Sequence, residues 1–271
     1  MDTHKVDFTG VKWTLLVTLY LRALESRSKD SILADHAAAE MVRRIDYDFG
    51  SLKMRMAAGD RYLVVLRAKQ LDLWATDFLS RHPDATVLQL GCGLDSRASR
   101  LDLPAGVHWF DLDYPDVIDL RRQLYPEHDR YRMIGSSVTD PAWLDEIPTE
   151  RPVLVIAEGL LMYLTENDVR RLLKRLTDRF PTGALIFDGL SPWVVRVSNM
   201  LPSPYGSFNM GWPIRDGRDV ERLDPRLRHV VDTAVISQFP KVPVRTYRVL
   251  YQLLSRIPAM RNAIRVFRFE F

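Results

Sequence analysis

The spacing of hydrophobic residues changes along the chain. Up to residue 80, apolar side chains recur at intervals of three and four, as in 15–24, 32–45 and 62–79, which is typical of amphipathic helices. Beyond that point, short apolar runs alternate with spacers long enough for helices; the runs lie at 86–90, 107–113, 131–136, 153–157 and 184–188. The clearest spacer helix is 166–180, with Thr165 as its N-cap. This alternation predicts an α/β doubly wound fold.

The last third of the chain is irregular at first. Residues 191–225 are rich in Pro, Gly, Trp, Ser and Asn, a length and composition that favour a substrate-facing lid over a tight connection. Two more strands are predicted at 229–236 and 264–271, with helical character around 249–254 between them. We therefore expect one domain over 1–271, made of a helical N-terminal cap (1–80), a core (81–190), and a lid with C-terminal strands (191–271).

Composition and charge narrow the choice of partners. The 38 Lys and Arg nearly balance the 35 Asp and Glu, and without a basic cluster this balance does not predict nucleic-acid binding. No run approaches the roughly 18 apolar residues that a membrane span needs, and the amino terminus lacks the pattern of a signal peptide. The single cysteine, Cys92, excludes an intrachain disulfide or a zinc site built on several thiolates, and its setting between two glycines favours packing. We predict a cytoplasmic protein without metal, nucleic acid or membrane, for which a homodimer is one option.

The most informative segment is the turn after the first strand of the core. Gly91 and Gly93 flank Cys92, and a helix-compatible sequence follows. Such a turn presents backbone amides, and glycine allows a nucleotide to approach closely. About 20 residues further on, the second strand ends with Asp111 and Asp113, where a carboxylate can accept hydrogen bonds from ribose hydroxyls. Both acids point to one side of the strand, so either could serve, and the place of Asp113 nearest the strand end favours it.

This arrangement fits a nicotinamide dehydrogenase as well as an S-adenosylmethionine enzyme. Two features favour methyl transfer: a long helical segment precedes the glycine turn, and Ser96 stands where G-x-G-x-x-G would have its third glycine. Glu158 directly follows the fully apolar run 153–157, at the edge where open α/β sheets bind ligands. It could accept a hydrogen bond from an adenine amino group or from the amine of a methionyl group.

Three ordered motifs now stand in the core: L-G-C-G-L-D-S-R at 90–97, D-L-D-Y-P-D-V at 111–117 and A-E-G-L-L-M-Y-L at 157–164. Together they resemble the leucine carboxyl methyltransferase family, most closely its bacterial polyketide O-methyltransferases of the tetracenomycin type. The likeness covers most of residues 20–190. It implies a class I methyltransferase fold, Rossmann-like, with a seven-stranded, mostly parallel sheet, and S-adenosyl-L-methionine as the methyl donor.

The resemblance also implies roles for single residues. In the family, an arginine on the helix before the first strand meets the methionyl carboxylate, and Arg67 matches it; a guanidinium can bind a carboxylate through two hydrogen bonds. Arg22 is a candidate for a further basic contact near the amino terminus, with an exposed helical arginine as the alternative. The remaining matches are Gly91 and Gly93 at the turn, Asp113 at the ribose, Glu158 after the fourth strand, and Ser137 and Val138 beside the adenine.

Methyl transfer from a sulfonium mainly requires the acceptor oxygen to be held close and aligned. A carboxylate, with a pKa near 4, is already ionised at neutral pH, whereas a phenol near 10 needs a base. No motif carries an evident histidine base. We therefore predict O-methylation of a carboxylate on a small, hydrophobic, polyketide-like molecule. A phenolic acceptor and a non-catalytic cofactor-binding protein are the alternatives, and a protein carboxylate ranks lower because the chain lacks an obvious docking module.

The acceptor side of the site is predicted from fewer signals. Tyr163 follows the fourth strand and is the candidate catalytic residue facing the acceptor, with core packing as its alternative. Aromatic and cationic residues of the irregular segment are predicted to form the acceptor pocket: Trp193, Arg196, Tyr205, Trp212 and Arg215.

Overall fold

A mixed β-sheet lies at the centre of the computed structural model, which describes residues 4–5, 12–50, 60–201 and 209–271. Within these residues, the sheet has seven strands: β3 (Thr86–Leu90), β4 (His108–Asp113), β5 (Tyr131–Gly135), β6 (Val153–Ala157), β7 (Gly183–Leu190), β8 (Arg228–Ala234) and β9 (Ile264–Glu270). A separate parallel pair joins β1 (His4–Lys5) to β2 (Ile45–Asp46).

The order of the strands in the sheet is β5-β4-β3-β6-β7-β9-β8. The first five of these run parallel, and β9 runs antiparallel to both of its neighbours. The order reverses between β3 and β6, and in open α/β sheets ligands bind at the carboxyl ends of the strands at such a point. The predicted fold, with a seven-stranded and mostly parallel sheet, is confirmed.

Helices precede and connect the strands. In chain order they are α1 (Trp13–Ser26), α2 (His36–Arg44), α3 (Asp60–Arg81), α4 (Arg97–Arg100), α5 (Pro115–Leu124), α6 (Glu166–Arg179), α7 (Pro192–Met200), α8 (Gly217–Leu223), α9 (Arg245–Leu254) and α10 (Pro258–Arg261). Short 3-10 helices lie at Ala142–Glu146, Leu161–Tyr163 and Val235–Lys241. Thr165 caps α6 as predicted, because its hydroxyl accepts a hydrogen bond from the amide of Asp168 at 3.1 Å. None of the described helices is long and apolar enough to cross a membrane.

The apolar core has two main parts, formed by alternate residues of the same strands. Val87, Leu154 and Ile186 belong to one cluster, which includes side chains of α1, α2 and α3. Their neighbours Leu88, Val155 and Phe187 belong to the other, which includes side chains of α6. Successive side chains of a strand point to opposite faces, so the two clusters lie on the two sides of the sheet. Cover on both sides explains why every residue of β3, β6 and β7 is buried.

The segment predicted as irregular is only partly so. Pro192 begins α7, consistent with the preference of proline for the first turn of a helix, and α8 follows at 217–223. Residues 202–208 between them lie outside the described part of the chain. The assignment of this segment as a lid stays a prediction.

Replacement of Phe187 by alanine tests the packing between the parallel and antiparallel parts of the sheet. Its ring is fully buried and stacks on Phe267 and Phe269, with ring centroids 5.3 and 5.9 Å away. We expect Phe187→Ala to lower the free energy of unfolding by about 3–5 kcal/mol, because it leaves a cavity among these rings. Urea denaturation measures this change. As a control, Leu253→Ala removes a side chain of a residue that is 53% exposed, and we expect a change within about 0.5 kcal/mol.

Candidate active site

Two adjoining chambers open at the carboxyl ends of β3, β4 and β6. The first chamber is lined by residues that include Asp113, Tyr114, Ser136, Ser137, Val138, Leu160 and Asn209. The second chamber is lined by residues that include Arg22, Arg67, Gln89, Asp95, Glu158, Met162 and Leu190. Both chambers share Thr14, Leu15, Gly91, Gly159 and Tyr163. They therefore form one cleft at the predicted position in the sheet.

The glycine turn separates β3 from α4 and needs its glycines. Gly91 and Gly93 have φ values of 61° and 50°, a left-handed conformation that other residues rarely adopt. A Cβ atom on Gly91 would lie 2.9 Å from Leu160, and one on Gly93 would lie 2.6 Å from Leu15. The turn is thus packed directly against α1 and against the segment after β6, which brings the walls of both chambers together.

Asp113 ends β4 with its carboxylate at the first chamber. Its Oδ2 accepts a hydrogen bond from the amide of Gly93 at 2.7 Å, and its Oδ1 accepts one from the amide of Tyr114 at 2.8 Å. Burial raises the pKa of Asp113, and the two backbone hydrogen bonds oppose that rise. Since each carboxylate oxygen can accept a second hydrogen bond, the oriented carboxylate can still receive hydroxyl donors.

Asp111 occupies a different environment, which corrects the expectation that either acid could reach the ligand. It is fully buried and lines neither chamber. Its Oδ1 accepts from the indole of Trp109 at 2.8 Å, and its Oδ2 accepts from Arg121 and from the hydroxyl of Tyr131 at 2.6 Å. Arg121 also donates to the carbonyl oxygen of Gly93 at 3.0 Å. Asp111 therefore holds the glycine turn in place indirectly, because it binds Arg121, which in turn binds the carbonyl oxygen of Gly93.

A buried ion network adjoins the second chamber. It consists of four arginines and five carboxylates, each within 4 Å of an oppositely charged partner. Its members among the described residues are Arg22, Arg67, Arg97, Arg100, Asp35, Asp72, Asp95, Glu158 and Asp188. Burial disfavours the charged form of each group, and the oppositely charged neighbours oppose this effect. At Asp188 the effect of burial prevails and raises the pKa of the carboxyl. These neighbours lower the pKa of Asp72 and of Asp95 despite the opposing effect of burial.

Glu158 connects Arg67 to the other arginines of this network by binding both Arg67 and Arg97. Its Oε1 accepts from Nε of Arg67 at 3.0 Å, and its Oε2 accepts from Arg97. Arg67 also donates through Nη1 to Oδ2 of Asp188 at 2.9 Å. Both oxygens of Glu158 thus bind arginines, whereas the sequence predicted hydrogen bonds to a ligand amine. The structure brings Arg67 and Glu158 together at the second chamber.

Arg22 is buried, which corrects the reading of it as an exposed helical arginine. Only 3% of the residue is exposed, and it lines the second chamber. It donates to Oδ1 of Asp95 and to the carbonyl oxygen of Leu94, both at 2.9 Å. These bonds attach α1 to the glycine turn. Direct contact between Arg22 and a ligand stays a prediction.

Most members of the network had no role predicted from the sequence. These six members are Asp35, Asp72, Asp95, Arg97, Arg100 and Asp188. Asp188 could have been noticed in the sequence, because it ends the apolar run 184–188. A carboxylate in such a position is seldom buried without a partner, so a buried cationic partner could have been predicted. The partners themselves come from distant parts of the chain, as Arg67 and Asp188 are 121 residues apart.

Tyr163 lies where the two chambers meet. It ends the 3-10 helix Leu161–Tyr163, and its ring contributes to the walls of both chambers. Its hydroxyl forms a hydrogen bond with Thr14, and burial raises the pKa of the Tyr163 phenol. Ser137 and Val138 line the first chamber. Their contact with an adenine stays a prediction.

Four of the five residues predicted to form the acceptor pocket line neither chamber: Trp193, Arg196, Trp212 and Arg215. Trp212 is only 4% exposed, and its ring packs 6.2 Å from that of Phe187, so it belongs to the core. The indole of Trp193 donates to the carbonyl oxygen of Ala259 at 3.1 Å. Arg196 and Arg215 are exposed. Tyr205 lies outside the described residues. Trp193 and Trp212 have their own hydrogen-bond and packing partners elsewhere in the fold, and the sequence pattern does not reveal these partners.

Comparisons with known proteins agree with this arrangement. Residues 15–177 match the family model for leucine carboxyl methyltransferase. The chain is 45% identical over 270 residues to the tetracenomycin polyketide synthesis O-methyltransferase TcmP of Streptomyces glaucescens, with 98% of each chain covered. It is 36% identical over 262 residues to the S-adenosyl-L-methionine-dependent methyltransferase dpfgK of Gibberella zeae, with 89% of this chain and 88% of the relative covered. A crystal structure from Thermobifida fusca YX shares the fold with a TM-score of 0.59 at 16% identity, over 93% of each chain.

The buried pair beneath the glycine turn leads to a prediction about stability. Asp111→Ala leaves the guanidinium of Arg121 buried without its carboxylate, and we expect the free energy of unfolding to fall by about 3–5 kcal/mol. Urea denaturation measures this loss. The double variant Asp111→Leu/Arg121→Met removes both charges and should recover part of the lost stability, although the donors of Trp109 and Tyr131 stay without their acceptor. A double variant no more stable than the single one would contradict this account of the pair.

Proposed function

This chain belongs to the leucine carboxyl methyltransferase family, and we propose that it uses S-adenosyl-L-methionine to methylate a carboxylate of a small, hydrophobic, polyketide-like molecule. The observation that carries this proposal is the pairing of the two chambers. Asp113 stands at one of them and Arg67 with Glu158 at the other, and both chambers meet at Gly91 and Gly159. This combination fits a nucleoside joined to an amino acid, with Asp113 for the nucleoside and Arg67 with Glu158 for the amino acid.

The two ends of the donor would occupy different chambers, the nucleoside the first and the amino acid the second. In the first chamber, Asp113 would accept hydrogen bonds from the ribose hydroxyls, with Ser137 and Val138 beside the adenine. In the second chamber, Arg67 would bind the methionyl carboxylate through the N–H groups that its two carboxylate partners leave free. The turn at Gly159 lies beside this guanidinium, because a Cβ atom there would be in ordinary contact with Arg67 at 3.7 Å.

The chemistry asks little of the protein beyond alignment. When bound, the donor supplies an electrophilic methyl group on a sulfonium. A carboxylate acceptor is already ionised at neutral pH, so no base is required. Because the pKa of Tyr163 is raised, its phenol stays protonated and can donate a hydrogen bond to the acceptor oxygen. We assign Tyr163 this orienting role, at the junction where acceptor and donor must meet.

The acceptor is proposed to be hydrophobic for two reasons. Met162, Leu190 and Val195 form an apolar cluster, against which Tyr163 packs, and two of its members line the second chamber. In addition, the relative TcmP takes part in the synthesis of the polyketide tetracenomycin, as its name states. Trp193, Arg196, Tyr205 and Arg215 remain candidates for outer parts of the acceptor site. We also propose that the protein is cytoplasmic and binds neither nucleic acid nor membrane. A homodimer is a candidate assembly.

Donor binding is the first prediction to test. We expect S-adenosylhomocysteine to bind with a micromolar dissociation constant in calorimetry, and Asp113→Ala to weaken it by at least about 10-fold, since hydrogen bonds to a charged group are lost. Asp119→Ala serves as the matched control, because Asp119 lies exposed on the same helix-strand unit and should leave binding unchanged. Binding of NADH in place of S-adenosylhomocysteine would identify a dehydrogenase instead.

The pH dependence of turnover separates the two acceptor classes. With aromatic carboxylates, we expect ester formation at a rate that is constant from about pH 7 to 9, since the acceptor stays ionised throughout this range. With a phenol, the rate should rise with pH toward the phenol pKa near 10. Product can be followed by mass spectrometry. Methylation of phenols alone would favour the phenolic alternative, and donor binding without product from either class would favour a non-catalytic protein.

A further inference from the structure

Asp188 connects the buried ion network to the backbone of the site. It lies on β7 and is fully buried, and its backbone is held in register with Val266 of β9. Its Oδ2 accepts from Nη1 of Arg67 at 2.9 Å, and its Oδ1 accepts from the amide of Gly159 at 2.5 Å. A single carboxylate on a rigid strand thus binds both the arginine and the turn of the second chamber.

Two carboxylates together determine the orientation of the Arg67 guanidinium. Glu158 Oε1 lies 3.0 Å from both Nε and Nη2, and Asp188 holds Nη1. A planar guanidinium bound at these two places has no freedom to rotate about the end of its side chain. Its remaining N–H groups are therefore presented in one direction, which is the condition for forming two hydrogen bonds with a carboxylate.

Asp188 also determines where Gly159 lies relative to that guanidinium. Gly159 has a φ of 67°, and its position is only a few ångströms from Arg67. From these contacts we infer that Asp188 is a positioning residue, which aligns Arg67 and the Gly159 turn for the amino-acid end of the donor. This inference rests on the proposed function, because it assumes that the donor carries such an end.

Two ligands separate positioning from a merely structural role. S-adenosylhomocysteine has the amino-acid end, whereas 5′-methylthioadenosine keeps the adenosine and the thioether without it. For Asp188→Asn, one of the two hydrogen bonds is lost, because an amide cannot accept from both Arg67 and Gly159 in this geometry. We expect S-adenosylhomocysteine to bind about 10- to 100-fold more weakly, as for loss of a hydrogen bond to a charged group. Binding of 5′-methylthioadenosine should change by less than about 3-fold.

Asp224→Asn is the matched control. Asp224 is a buried carboxylate outside the network, which pairs with Arg226 and lines neither chamber. We expect this variant to lower the melting temperature while both affinities stay within about 3-fold of the wild type, since Asp224 shares no partner with the groups of the second chamber. If Asp188→Asn does not fold, Asp188→Glu replaces it, because glutamate keeps the charge but moves the carboxylate from the position that binds both Arg67 and Gly159, and we expect the same selective loss.

The outcomes are distinct. A selective loss for S-adenosylhomocysteine in the Asp188 variant supports the inference. Equal weakening of both ligands, or unchanged binding of S-adenosylhomocysteine, overturns it while the proposed function stands. Failure of the wild-type protein to bind S-adenosylhomocysteine overturns the proposed function, and the inference with it.

Discussion

The burial of nine charged groups in one place is the constraint on which the rest of the structure depends. A buried charge is tolerated only with partners, and removing one partner leaves the other unpaired at a cost of several kcal/mol. The partners here come from α1, α3, α4, the glycine turn, the end of β6 and β7. These elements can satisfy one another's charges only in one mutual arrangement. The second chamber is therefore shaped by the same pairing that holds the helical cap on the sheet.

A second buried group supports the glycine turn from its other side. Arg121 binds Asp111 and the carbonyl oxygen of Gly93, while Asp113 binds the amide of the same glycine. The turn is thus held through both its donor and its acceptor before any ligand arrives. Binding groups that are already oriented lose little conformational freedom on binding, which favours affinity and alignment. For a reaction that depends mainly on alignment, this rigidity is the principal contribution of the protein.

The proposed donor and acceptor sides of the cleft are built differently. The proposed donor side consists of strand ends and short turns, and its groups are attached to the sheet. The proposed acceptor side draws on Met162, Tyr163 and Val195, which lie outside the strands. Loops on a rigid scaffold accommodate sequence change more readily than strand ends do. One donor site can therefore be combined with different acceptors by changes in the surrounding segments.

What the sequence determined by itself was local. The alternating apolar runs predicted the strands, the pair of glycines predicted a turn, and the positions of Asp113 and Glu158 at strand ends predicted where their side chains would lie. Only the tertiary structure decided which distant residues pair with one another and which become buried. It buried Asp111 against Arg121, turned Arg22 inward, placed Trp212 in the core and joined Arg67 to Asp188 across 121 residues. The physical reason is that periodicity and turn chemistry act between near neighbours, whereas the pairing of buried charges depends on which distant segments the packed sheet brings within hydrogen-bond distance.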